Sequence, residues 1–168
     1  VTAQRIGIFG GTFDPPHAGH RAAIAAAWST GNFDVILVVV AGEPYEKSDV
    51  SSATERLRWS EDLFADLPGV VVSDIEILRG GPSYSVDTVE AIISDGSLAT
   101  LIIGADVAEH LEQWRGSANL RQLCDVLIVA RGNYAPRLDA TWRWRYLDMD
   151  RIDLSSSELR AQRNMENT

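Results

Sequence analysis

The chain has 168 residues, with 24 acidic against 15 basic side chains and a formal charge of −9. That length supports a single domain, residues 1–168, with a proper core, and an acidic chain with no compensating basic block argues against a nucleic-acid partner. One cysteine excludes an internal disulfide and points to a reducing, cytoplasmic setting, while Val1–Gln4 does not read as a signal peptide and no apolar run approaches membrane-span length.

Arg5 to Phe9 is a short apolar run that predicts a buried strand, ended by Gly10-Gly11. Thr12 to Pro16 is a turn, because Asp14-Pro15-Pro16 blocks an early helix. An Ala-rich helix starts near His17 and runs to about Trp28, with Gly31 as its stop. Asp34 to Ala41 is a continuous β-branched run, hence a strand buried on both faces. Ala53 to Asp66 has helical spacing, and Val70 to Ile77 predicts a strand. Val86 to Ser94 is a helix with Ser85 as N-cap. Leu98 to Gly104 is a strand, Ala105 to Trp114 a helix, Asn119 to Cys124 a short helix and Val126 to Ala130 a strand. Alternating βα units imply an α/β fold with a doubly wound, mainly parallel sheet, helices on both faces and ligands at the carboxyl ends of the strands. Neither G-x-G-x-x-G nor a Walker sequence is present.

Four stretches carry chemistry. The strand–glycine–helix unit around Gly10-Gly11 gathers backbone N–H groups and a positive helix end, where phosphate binds. His17 and His20, three apart, share one face of the first helical turn and can hydrogen-bond phosphate oxygens. A zinc site is disfavoured, since two histidines are half a site and Cys124 lies in a distant apolar segment. In Gly80 to Thr88 (GGPSYSVDT), Ser83 and Ser85 place hydroxyls beside helix-start N–H groups. Gly104 at a strand end permits close approach, and the Asp106 carboxylate can accept from ribose hydroxyls or hold a magnesium-bound water, although a plain helix-start acid accounts for it equally well. Trp114 can stack on a pyridine ring or sit in the core. In Asp153 to Gln162 (DLSSSELRAQ), the hydroxyls of Ser155, Ser156 and Ser157, orphan N–H groups and the Arg160 guanidinium suit a triphosphate.

GGTFDPPHAGH resembles the HxGH signature of the adenylyl- and cytidylyltransferase superfamily, in detail its bacterial nicotinate mononucleotide adenylyltransferase branch. The resemblance implies a Rossmann-like fold and transfer of AMP from ATP to nicotinate mononucleotide with Mg²⁺, giving deamido-NAD and pyrophosphate. It implies ATP contacts at Gly10, Gly11, Thr12, Phe13, His20, Gly104, Asp106, Ser155, Ser156, Ser157 and Arg160, the last three serines and arginine similar to the I-S-S-T-x-x-R motif. It places the mononucleotide at Lys47, Ser83, Tyr84, Ser85, Trp114 and Arg131, where GPSYSVDT resembles the family's G-P-S-Y-T-x-D-T segment, whose amides bind the nicotinate carboxylate. Catalysis then falls to His17, His20, Lys47 and Arg160. Arg56 resembles the arginine that opens the family's next helix, or it is a surface helix arginine. The chain departs from the pattern at Ala41-Gly42 (Pro-Asn in many relatives), at Gly132-Asn133 (Pro-Gly) and in stopping at Thr168. Pantetheine-phosphate adenylyltransferase and a non-catalytic nucleotide-binding paralogue are the alternatives, and a homo-oligomer is compatible with either reading.

Overall fold

A computed structural model describes residues 2–44, 49–132 and 136–151. Its apolar runs form β1 (Arg5–Gly11), β2 (Val35–Val40), β3 (Val70–Ser73), β4 (Leu98–Gly104), β5 (Cys124–Ala130) and β6 (Trp144–Asp148). They make one six-stranded sheet in the order β3-β2-β1-β4-β5-β6, with every pair parallel. Ile8 at the centre pairs with Leu37 on one side and Leu101 on the other. The chain builds outward from β1 to β3, then returns to the middle and builds the other way from β4 to β6. The reversal opens a crevice at the carboxyl ends of β1 and β4, the place where such sheets bind ligands.

The helices are α1 (Ala18–Ser29), α2 (Ala53–Phe64), α3 (Ile75–Arg79), α4 (Ser85–Ile93), α5 (Ala105–Ala108) and α6 (Ser117–Leu123). Because side chains alternate along a strand, each central strand feeds both faces. Leu101, Ile103, Val126 and Ile128 join Val89 of α4 and Leu120 of α6 in one core layer. Ile102, Leu127, Val38 and Val40 join Ile24 and Ala27 of α1 and Phe64 of α2 in the other. The sheet is thus covered on both sides, as a parallel sheet requires.

Four expectations shift. β3 stops at Ser73 instead of Ile77. Ser73 pairs with Val39, and β2 ends one residue later, so a longer β3 would have run past its neighbour and left ladder groups unpaired. The chain turns into α3 instead, with Ile75 against one core layer and Ile77 against the other. The helix expected over Ala105–Trp114 ends at Ala108, and a tighter 3₁₀ turn over Leu111–Gln113 seats Leu111 fully in the core. Ser85 is the first helical residue of α4; Tyr84 is its N-cap and makes no side-chain capping bond. The edge strand β6, not anticipated, pairs along β5 from Val126–Trp144 to Ala130–Asp148.

Cys124 opens β5 in full burial, and desolvation, reinforced by Asp125, pushes its thiol up to about 12. The thiolate is the reactive form. Iodoacetamide at pH 8 is therefore expected to leave Cys124 unmodified in the folded protein and to alkylate it in denaturant. Stoichiometric labelling of the native protein, read by mass spectrometry, would contradict this burial.

Candidate active site

The site starts where β1 runs out. Phe13 takes a left-handed backbone (φ 52°), uncommon for a bulky residue, and its ring is 2% exposed. The ring packs against Phe9, Phe64 and His20. It also lies across Gly11, where a Cβ would stand 2.9 Å from it. Gly11 is therefore a packing glycine, whereas a Cβ on Gly10 would meet nothing within 4 Å, leaving that backbone open to a ligand.

Both histidines begin α1 as a capping box. His17 Nδ1 accepts the Gly19 N–H at 3.1 Å, and His20 Nδ1 accepts the His17 N–H at 3.1 Å. The rings stack at 3.7 Å with 24° between planes. His20 is further fixed edge-on by Phe13 at 5.0 Å. A neutral imidazole that accepts at Nδ1 carries its proton on Nε2, so these bonds assign the Nε2–H tautomer to both rings. The helix-capping role and an Nε2–H donor thus coexist in the same side chains.

The second component is the chain leaving β2. Arg56 of α2 is 1% exposed, not a surface residue. Its Nε donates to the Ser51 carbonyl at 2.9 Å, Nη1 to the carbonyls of Thr12 (2.8 Å) and Ala41 (2.7 Å), and Nη2 to that of Gly42 (3.0 Å). Asp14 Oδ2 accepts the Ser51 N–H at 3.0 Å. The Gly42 N–H in turn donates to Ser83 Oγ at 3.0 Å, and the Ser83 N–H to the Glu43 carbonyl at 3.2 Å. The hydroxyl of Ser83, expected on the mononucleotide, is therefore engaged with the neighbouring loop. The Ser85 and Val86 N–H groups lie in the first turn of α4, where the N-cap residue Tyr84 makes no side-chain capping bond. Behind them, Thr88 Oγ1 donates to the buried Glu76 carboxylate at 2.6 Å and joins α4 to α3.

Trp114, half-buried, packs on the same core layer as Tyr84. Arg115 lies over the Tyr84 ring at 4.6 Å. Gly116, at φ 75°, is so close to Val86 that a Cβ would approach it to 2.8 Å. The structure thus brings the Tyr84–Val86 and Trp114–Gly116 segments together, as their shared assignment requires. Gly104, Ala105, Asp106, Glu109, Val129, Ala130 and Arg131 line an open cleft of about 490 Å³ beyond β4 and β5. Arg131 is steadied by its neighbour: the Gly132 N–H donates to Asp150 Oδ2 at 2.9 Å, and the Tyr146 hydroxyl to the Gly132 carbonyl at 2.8 Å. Arg131, expected at the mononucleotide, shares this cleft with Gly104 and Asp106, expected at ATP. Lys47, Ser155, Ser156, Ser157 and Arg160 lie outside the described residues. Among the described residues, no group of three or more His, Cys, Asp and Glu is placed to hold a metal ion, and no helix is long and apolar enough to cross a membrane.

An all-parallel sheet with a crevice at its reversal and a histidine-capped helix opening on it defines a nucleotide-handling α/β protein. Residues 8–162 match the cytidylyltransferase-like family, and the chain belongs to that class. It is 36% identical over 169 residues to a probable nicotinate-nucleotide adenylyltransferase of Albidiferax ferrireducens, covering 95% of this chain and 85% of the relative. It is 34% identical over 174 residues to one from Herpetosiphon aurantiacus, covering 95% and 86%. The fold is shared with Plasmodium falciparum nicotinic acid mononucleotide adenylyltransferase, solved in complex with NaAD, at a TM-score of 0.75 and 17% identity over 94% of this chain and 83% of that one. Within its class, this chain is a member of the nicotinate-nucleotide adenylyltransferase family.

Proposed function

We propose that the protein transfers AMP from ATP to the phosphate of nicotinate mononucleotide, releasing pyrophosphate and forming deamido-NAD for NAD biosynthesis in the cytoplasm. The observation that carries this reading is the pair of histidines whose Nδ1 atoms are committed to the α1 backbone at the sheet's reversal. An acceptor phosphate has a second pKa of about 6, so its attacking oxygen is already anionic and no protein nucleophile is needed. That oxygen forms a bond to the α-phosphorus as the bond to the pyrophosphate oxygen breaks. Catalysis is then positioning and charge stabilisation. His17 and His20 donate from Nε2 to the transferring phosphate, and Gly10 admits the nucleotide backbone-close. The cleft bearing Asp106 and Arg131 takes the adenosine side, with the carboxylate for ribose hydroxyls. Lys47 and the Ser155–Arg160 segment are assigned to the phosphates from sequence. Exposed Asp106 and Glu109 offer oxygen donors without a cage, which fits a magnesium ion that keeps most of its waters; such an ion would be held there and by the phosphates and would neutralise phosphate charge.

Choice of acceptor follows from the donors at the start of α4. Two backbone N–H groups suit a carboxylate. A carboxamide would turn an NH₂ toward a donor, and one unpaired buried polar group costs roughly 1–3 kcal/mol. A preference of at least about tenfold in kcat/KM for the acid over the amide mononucleotide is expected. The deciding experiment is pyrophosphate release from ATP with nicotinate mononucleotide, nicotinamide mononucleotide, phosphopantetheine and glycerol phosphate as acceptors. Equal rates on the first two would refute acid selection. ATP binding with no release on any acceptor would select the non-catalytic alternative.

A further inference from the structure

Arg56 has four side-chain hydrogen bonds, all to backbone carbonyls, and the carboxylate of Asp14 is the charged group that favours its cation. Burial disfavours the Arg56 cation and Asp14 offsets only part of that, so a guanidinium whose direct bonds all go to backbone is placed there to hold those carbonyls. Those carbonyls belong to three places that sequence order keeps apart: the turn after β1 (Thr12), the exit of β2 (Ala41 and Gly42) and the approach to α2 (Ser51). We infer that Arg56 is a positioning residue that couples the nucleotide turn to the acceptor turn. The inference rests on the adenylyltransferase reading.

The coupling runs through a continuous chain of bonds. Holding the Thr12 carbonyl fixes the peptide that enters left-handed Phe13, whose ring in turn abuts His20. Holding the Ala41 carbonyl fixes its own peptide unit, whose Gly42 N–H meets Ser83 Oγ beside the start of α4, and holding the Gly42 carbonyl fixes the peptide that follows. The fan of donors explains why the residue is arginine. Five N–H groups in one rigid plane reach carbonyls on different segments at once, whereas a lysine ammonium offers three donors from a single point. Asp14 closes the same assembly by accepting the Ser51 N–H. A shift at one turn is therefore transmitted to the other.

The test is steady-state kinetics on the full chain with both substrates varied. Arg56→Lys is expected to raise KM for ATP and KM for the mononucleotide together, each by about fivefold, and to lower kcat by about tenfold, at a temperature well below its Tm. Trp142→Phe, a buried change in the segment that leads into β6 at the far end of the sheet, controls for lost stability and should leave all three constants in place. Constants for Arg56→Lys within about twofold of the parent, or a match to the control at equal loss of Tm, would overturn the inference. Should Arg56→Lys fail to fold, Ser83→Ala cuts the same chain at its other end and keeps the guanidinium buried. It is expected to raise KM for ATP by about threefold although Ser83 lies on the acceptor side; a change confined to the mononucleotide would overturn the coupling. No turnover by the parent would refute the adenylyltransferase reading instead. The coupling would then be read as the loss, in either variant, of the rise in Tm that ATP gives the parent.

Discussion

His20→Asn is expected to lower kcat by about 10²–10³ while moving Tm little. The two ring nitrogens have separate duties. Nδ1 accepts the His17 N–H at the start of α1, and Nε2 carries the proton proposed to meet the transferring phosphate. An asparagine side chain reaches about as far as Nδ1, so it keeps the capping acceptor and loses the outer donor. His20→Gln keeps the cap in a different way: glutamine at this third helical position can reach back to accept the His17 N–H, and its amide NH₂ stands nearer the Nε2 position, so it restores part of the lost donor. The pair separates chemistry from folding. If the asparagine variant retains kcat within about threefold of the parent, His20 is a cap and nothing more.

Gly42→Ala should damage both stability and turnover. Its Cβ would stand 2.7 Å from the Glu76 carbonyl oxygen, 3.1 Å from the Glu76 carbonyl carbon and 3.2 Å from the Ile77 Cα. All three are backbone atoms of α3, so no side chain can swing aside. The segment leaving β2 must move instead, and it carries the Gly42 N–H bond to Ser83 and two carbonyls bound to Arg56. Overpacking of this kind costs roughly 1–3 kcal/mol, or a Tm lower by about 2–4 °C per kcal/mol at this size. A displacement of about 1 Å near reacting groups can cost 10² in rate, and kcat/KM is expected to fall by about that factor. Thermal melts and initial rates decide it. A parental Tm with unchanged kcat/KM would mean that α3 yields freely.

Where residue pattern and structure coincide, local rules and tertiary packing agree. The β-branched run of β2 has no polar face to spend, so it is a central strand. The glycine-to-histidine stretch carries its own turn and helix signals, and α1 begins at Ala18 with His17 as its N-cap, close to the expected start. Pattern and structure part where a distant partner decides. Ile75 and Ile77 alternate like a strand, yet the end of β2 denies them a neighbour. Trp144 and Tyr146 alternate around Arg145, but five residues on the sheet's edge give little periodicity to read. Arg56 and Ser83 show the same limit at the site. A sequence displays a guanidinium and a hydroxyl, and nothing in it says that carbonyls and an N–H from Thr12, Ala41 and Gly42 have claimed them. Ser85 looks like a cap because its residue type prefers that place; Tyr84 occupies it, with no side-chain capping bond.

The strand order has a mechanical consequence. The first three strands come from residues before Gly96 and form one half of the sheet; the last three come from residues after it and form the other. The halves meet in the sheet only along β1 and β4, where four residue pairs from Arg5–Leu98 to Ile8–Leu101 are in register. That seam leads into the crevice. A dinucleotide lying across it would contact both halves and act as a staple, adding resistance to shear where the sheet has its shortest ladder of central pairs. Loading the site would then strengthen the molecule along one line, and product release would return that line to its weakest state.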